Sequence, residues 1–142
     1  MNQWVVKRII YGVLILMGII GLSGCAWIPW YHSTTISVKV NVSDKHKESA
    51  VTMIVMQPAA QKDFVAASYT SVAQQSLDKG VRRYVFLSGQ DNKISMTVSD
   101  APLAIYFILQ RQPVSGWKYL IENPRGQSLD FTVDGNSVKK ET

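Results

Sequence analysis

The sequence predicts a mainly β domain, a sandwich of eight short strands with one helical insertion after the second strand. Three observations predict it. Thr34 to Val42 alternates apolar and polar residues with a period of two, the pattern of a half-buried strand. From Val81 onward, short apolar runs recur between clusters of Gly, Pro, Asn and Asp, as strands and their turns do. Between those regions lies a single stretch with apolar residues at three- and four-residue steps. The length of 142 residues suits one domain. With 46% hydrophobic and 18% charged residues, the chain is neither a disordered polymer nor a collagen-like repeat.

In chain order, Thr34–Val42 places Ile36, Val38, Val40 and Val42 on one face and Thr35, Ser37, Lys39 and Asn41 on the other. The second strand, Ala50–Gln57, sets Val51, Met53 and Val55 opposite Thr52, Ile54 and Met56. It is apolar on both sides and therefore belongs at the centre of a sheet covered on both faces. Pro58 ends it. Phe64, Val65, Tyr69, Val72, Ala73 and Leu77 then predict an amphipathic helix over about 61–79. Gly80 suits the position just after such a helix. Ser68, Thr70, Ser71 and Ser76 lower its intrinsic propensity, so it depends on docking and tends to divide into two pieces. Its apolar stripe at Phe64, Tyr69 and Val72 is expected to bury together with the Ile36/Val38/Val40 face. Six further strands are expected at Val81–Ser88, Lys93–Ser99, Leu103–Gln112, Trp117–Glu122, Ser128–Val133 and Asn136–Lys140. Asp134-Gly135 marks a tight hairpin before the last of these.

The first 25 residues have a different character. Lys7 and Arg8 precede an uncharged run from Ile9 to Leu22. That run is short of the roughly 20 apolar residues a membrane-spanning helix needs and suits a signal-peptide core. It ends in Leu22-Ser23-Gly24-Cys25, which resembles the lipobox of bacterial lipoproteins. The resemblance implies residues 1–24 as a lipoprotein signal peptide, a covalent lipid (palmitate among its chains) on Cys25, residues 25–33 as a lipidated tether and 34–142 as the β-sandwich domain. Ala26 follows the cysteine where an Asp commonly retains such proteins in the inner membrane, so the expected location is the periplasmic face of the outer membrane. More than one acyl chain makes such an anchor stable. Trp27, Pro29, Trp30 and Tyr31 in the tether either rest at the headgroup level or fold back to cap the domain.

Removing the first 24 residues leaves 118 and takes Lys7 and Arg8 away, so the formal net charge falls from +5 to +3. A charge that small is no argument for nucleic acid, and none is expected as a partner. Cys25 alone forms no internal disulfide or multi-thiol metal site. The sequence contains no Gly-rich phosphate loop, HExxH, CxxC or nucleophile elbow. Asp44, His46 and Glu48 alternate in one run, but Lys45 and Lys47 between them favour a solvated loop over a metal site. Trp117 and Lys118 read as a core aromatic beside an exposed charge. No enzyme activity, cofactor or metal is expected.

The order of these features resembles the outer-membrane lipoprotein family of type VI secretion systems, called TssJ or SciN. The residues that carry the resemblance are the lipobox at Leu22–Cys25 and the strand pair around Val38 and Val51. To these add Val51–Gln57 leading into a helical segment with Phe64 and Tyr69, and Ala104–Phe107 followed by Trp117-Lys118, with Lys where the family has Arg. The family's proline-rich stretch before the second strand and its longer acidic connection after the helix are missing. The resemblance implies a transthyretin-like β-sandwich that ties an inner-membrane TssM (IcmF-like) protein, through its periplasmic domain, to the outer membrane. It also implies that the loop between the first two strands meets that partner: Ser43, Asp44, Lys45, His46, Lys47, Glu48 and Ser49, at the tip of a first hairpin. On composition alone the same loop reads equally as a solvated connection. The alternative function is a periplasmic lipoprotein that binds a small ligand or inhibits a hydrolase.

Overall fold

A computed structural model describes residues 32–43, 50–75 and 80–142. Its elements are β1 (Thr34–Val42), β2 (Val51–Met56), α1 (Gln61–Ala66), α2 (Tyr69–Ala73), β3 (Val81–Phe86), β4 (Lys93–Val98), β5 (Leu103–Ile108), β6 (Lys118–Ile121), β7 (Ser128–Asp134) and β8 (Ser137–Glu141). All eight strands and the helical insertion lie where the sequence pattern puts them. The strands form two four-stranded sheets, ordered β4-β1-β7-β8 and β3-β2-β5-β6. β1 runs antiparallel to β4 and parallel to β7. The other pairs, β2 with β3 and β5, β5 with β6, and β7 with β8, are antiparallel.

The core follows from strand parity. Ile36, Val38 and Val40 of β1 and Leu129, Phe131 and Val133 of β7 face Met53, Val55, Leu103, Ile105 and Phe107 of the second sheet, all essentially inaccessible. Phe107 and Phe131 meet at 4.9 Å between ring centroids, and Tyr119 packs on Phe131 at 5.2 Å. Facing the other way, Lys39, Asn41, Lys93, Ser95 and Thr97 leave the outer side of the first sheet polar.

The outer side of the second sheet is apolar and carries the helices. Ile54, Ala104 and Tyr106 form a second cluster with Val72, bordered by Met56, Phe64, Val81, Trp117 and Leu120. This explains why β2 is apolar on both faces, as the sequence predicted. It also corrects the expected burial of the helical stripe. Phe64, Tyr69 and Val72 do not join Ile36, Val38 and Val40; the second sheet separates the two sets.

The helical insertion is two short helices rather than one. α1 ends at Ala66, and Ser68 begins α2 with a reciprocal cap: its hydroxyl accepts from the Ser71 amide at 3.2 Å, and the Ser71 hydroxyl accepts from the Ser68 amide at 3.2 Å. The serines that weaken a continuous helix thus start a new one. α2 ends at Ala73, well before Gly80, so Gly80 does not cap it. Gly80 instead opens β3, where its carbonyl accepts from the Gln57 amide at 3.0 Å.

A second correction concerns the first two strands. β1 and β2 lie in different sheets, so they form no hairpin. Residues 43–50 are the crossover between the sheets, eight residues being ample for layers about 10 Å apart. The Gly135-Asn136 turn does close a hairpin between β7 and β8, with Asp134 opposite Ser137. Gly135, at φ 60°, takes the first turn position that favours glycine in such hairpins.

Candidate functional site

β1 polarises the domain. Its first residue, Thr34, pairs with Val98 near the 99–102 connection, and its last, Val42, pairs with Val133 near the β7–β8 turn. Nine strand residues separate the two ends by about 27 Å. Chain entering from residue 33 therefore arrives at one end of the sandwich, and the crossover toward β2 leaves from the other. That far end also carries the β3–β4 turn, the β5–β6 connection and the β7–β8 turn.

Of the sequence-predicted contact residues, Ser43 is half-buried, and its amide donates to the Val133 carbonyl at 3.0 Å. Asp44, Lys45, His46, Lys47, Glu48 and Ser49 lie outside the described residues, as does Cys25. His32 is exposed. The base of the crossover is nonetheless well built. Asn92, buried at 9% exposure, donates from Nδ2 to the Leu87 carbonyl at 2.7 Å, and its own carbonyl accepts from the Val40 amide at 3.0 Å. Leu87, whose carbonyl Asn92 holds, is 44% exposed, and Val85, opposite Thr52 on β3, is 58% exposed. Val114, at 88%, lies in the β5–β6 connection, where its amide donates to the Asn136 carbonyl at 2.9 Å. The sequence reading did not single out these residues; an apolar residue at an outward-facing strand position is the signal that marks Val85.

The helical face carries the other polar constellation. Lys118 is not the exposed charge the sequence suggests. Its ammonium donates to the carbonyls of Phe64 at 2.9 Å, Val65 at 3.1 Å and Ala67 at 3.2 Å, closing the end of α1. It also lies 5.1 Å from the Phe64 ring and 5.3 Å from the Trp117 ring, within reach of cation–π attraction. A cation there satisfies carbonyls that a helix leaves without partners. Nearby, Tyr69 Oη donates to the Leu109 carbonyl at 2.8 Å and accepts from the Leu109 amide at 2.7 Å, so it pins α2 to the end of β5. Burial raises the phenol pKa of Tyr69, Tyr106 and Tyr119 above the ordinary value, and the Asp63 carboxylate adds to the effect at Tyr106.

Among the described residues, no three His, Cys, Asp or Glu side chains gather as a metal site, and no helix is long and apolar enough to cross a membrane.

The geometry, two four-stranded sheets with paired short helices on one outer face, defines a TssJ-like β-sandwich. Residues 52–133 match the family model described as IglE, N-terminal domain, and the chain belongs to that TssJ-like family. Among solved structures, Lip of Serratia marcescens, a membrane-bound component of the type VI secretion system, is similar with a TM-score of 0.59 at 9% identity. The match covers 77% of this chain and 98% of that one. The type VI lipoprotein TssJ1 of Pseudomonas aeruginosa is similar with a TM-score of 0.52 at 15% identity, over 78% of this chain and 96% of that one. A chain in the structure of the type VI secretion protein TssM C-terminal domain from EAEC aligns with a TM-score of 0.56 at 10% identity, over 78% and 98%. No curated protein matches the sequence.

Proposed function

We propose that the protein is a non-enzymatic lipoprotein of a type VI secretion membrane complex. It is anchored through Cys25 to the periplasmic face of the outer membrane and tethers a TssM-like inner-membrane protein there. The observation that carries this reading is the completeness of the match. The sandwich and its helical face account for 98% of Lip and 96% of TssJ1, so the whole domain of those lipoproteins has its counterpart here. The family assignment over 52–133 supports it from the sequence side, and the likeness to a chain in the TssM structure supports the choice of partner.

The polarity of β1 supports the division of labour. A lipid on Cys25 enters the domain through residue 33, at the Thr34 end. The 43–49 crossover departs from the Val42 end, about 27 Å farther along, the end we assign to a partner approaching from the periplasm. The crossover is the contact we assign, with Asp44, Lys45, Lys47 and Glu48 setting register and encounter rate more than affinity.

Photocrosslinking in intact envelopes tests the assignment. A crosslinker placed at Lys45 should capture the periplasmic region of a TssM-like protein, identified by mass spectrometry. The same probe at Thr35, on the polar outer side of the first sheet, should not. Capture of that partner from Thr35 and not from Lys45 would move the interface to the sheet face.

A further inference from the structure

The proposed tethering role makes no use of a cleft on the helical face. It lies between α1, α2, the end of β2 and the middle of β5, has a volume of about 290 Å³, and is lined by Met56, Asp63, Ala67, Val72, Gln75 and Tyr106 among others. A smaller cleft of about 120 Å³ on the other side of α1 shares Met56, Asp63 and Tyr106 with it. Asp63 is the one charged side chain among the described residues that line either.

Tyr106 is the unexplained group. It is only 3% exposed, held between the rings of Phe64 at 5.9 Å and Trp117 at 6.0 Å. Its hydroxyl makes no hydrogen bond to any described residue. Tyr69 and Tyr119, less buried, both place their hydroxyls on backbone carbonyls. A buried phenol without a partner is costly, by about 1–3 kcal/mol in typical cases, and native structures rarely leave one unexplained. Tyr106 lines both clefts beside the Asp63 carboxylate.

We propose that this cleft binds a guanidinium or primary ammonium group carried on an aliphatic stem. Asp63 pairs with the cation, the Tyr106 hydroxyl accepts a hydrogen bond from it, and Met56, Ala67 and Val72 cover the stem. An anion would meet the exposed Asp63 carboxylate, and a purely apolar ligand would leave the buried Tyr106 hydroxyl unpaired. A volume at the lower edge of small-molecule sites, about 300–1,000 Å³, fits one basic side chain or a short amine better than a cofactor. The cation of Lys118 does not fill this role, since it is committed to three carbonyls at the end of α1.

The two sources of such a group, an arginine or lysine of a bound protein and a free diamine or guanidine, share this chemistry, and one experiment separates them. The full chain, labelled with ¹³C at its five methionine methyls and held in detergent micelles, is titrated with agmatine and separately with acetyl-Gly-Arg-Gly-amide. The Met56 methyl, assigned from Met56→Leu, should shift and saturate while the Met53 methyl in the sandwich core stays still. Asp63→Asn should weaken binding by about tenfold or more, a change of about 1.4 kcal/mol. Tyr106→Phe should weaken it with the Met53 resonance unmoved, which certifies the fold. Tighter binding of the peptide identifies a protein side chain, and tighter binding of agmatine identifies a free amine; either supports the site. No saturable shift with either probe, or equal affinity in Asp63→Asn, overturns it.

Discussion

Lys118 illustrates what one residue does across a long sequence separation. On alternation alone it reads as a surface charge beside Trp117, yet its ammonium reaches three carbonyls 51 to 54 residues earlier in the chain. No local pattern in the sequence encodes that, because the helix it closes is folded onto the strand from elsewhere. Lys118→Ala should therefore cost about 1.5–3 kcal/mol, the usual worth of hydrogen bonds to a charged group, measured by urea denaturation. Lys118→Arg should stay near the native value, since a guanidinium reaches the same carbonyls. Phe64 is only half-buried under that cation, whereas Phe131 is fully enclosed. Phe131→Ala should cost about 3–5 kcal/mol and Phe64→Ala distinctly less. The tyrosines add a pH signature. Raised phenol pKa values in the folded state mean that the native protein holds protons the unfolded chain has lost. Their stabilisation is complete below the unfolded value of about 10 and disappears as pH rises through the folded values. Melting curves should thus begin to weaken near pH 10, and Tyr106→Phe should lessen that alkaline loss.

At the scale of elements, strand positions were readable because alternation and turn residues are local signals. The partners of each strand were not. Two consecutive strands joined by eight residues can pair or can cross between layers, and β1 crosses. The reason lies in the faces: β1 is apolar on one side only, and β2 is apolar on both. They therefore occupy different sheets, and only the β2 sheet receives helices on its outer side. The same polar residues that made one long helix doubtful, Ser68 and Ser71, form the reciprocal cap that starts α2. A crossover is also less tolerant of shortening than a hairpin tip. Replacing Asp44–Glu48 by five Gly and Ser residues keeps its span, so the melting temperature should change little. Gly116, by contrast, has φ 71° and no room: a Cβ there would overlap the Val138 carbonyl oxygen. Gly116→Ala should break the Ser115–Ser137 bridge that joins the β5–β6 connection to β8 and lower the melting temperature markedly.

For the whole molecule, the proposed tether needs two ends and an anchor. The N-terminal signal, read as a lipobox at Leu22–Cys25, and residues 44–49 of the crossover, read as a partner loop, lie outside the described residues. What the fold contributes is a strand, β1, whose first residue Thr34 and last residue Val42 lie at opposite ends of the sandwich. Cys25→Ser should release the protein from the outer-membrane fraction, and Ala26→Asp should redirect it to the inner membrane; sucrose-gradient fractionation reads both. Calorimetry decides whether the crossover end grips a TssM-like partner. The lipid-free chain from Ala26 onward is titrated with that partner's periplasmic domain, beside the Gly/Ser replacement of Asp44–Glu48. The native chain should show saturable one-site binding, lost in the replaced chain with unchanged melting. Full affinity in the replaced chain, or no binding by the native one, would contradict it.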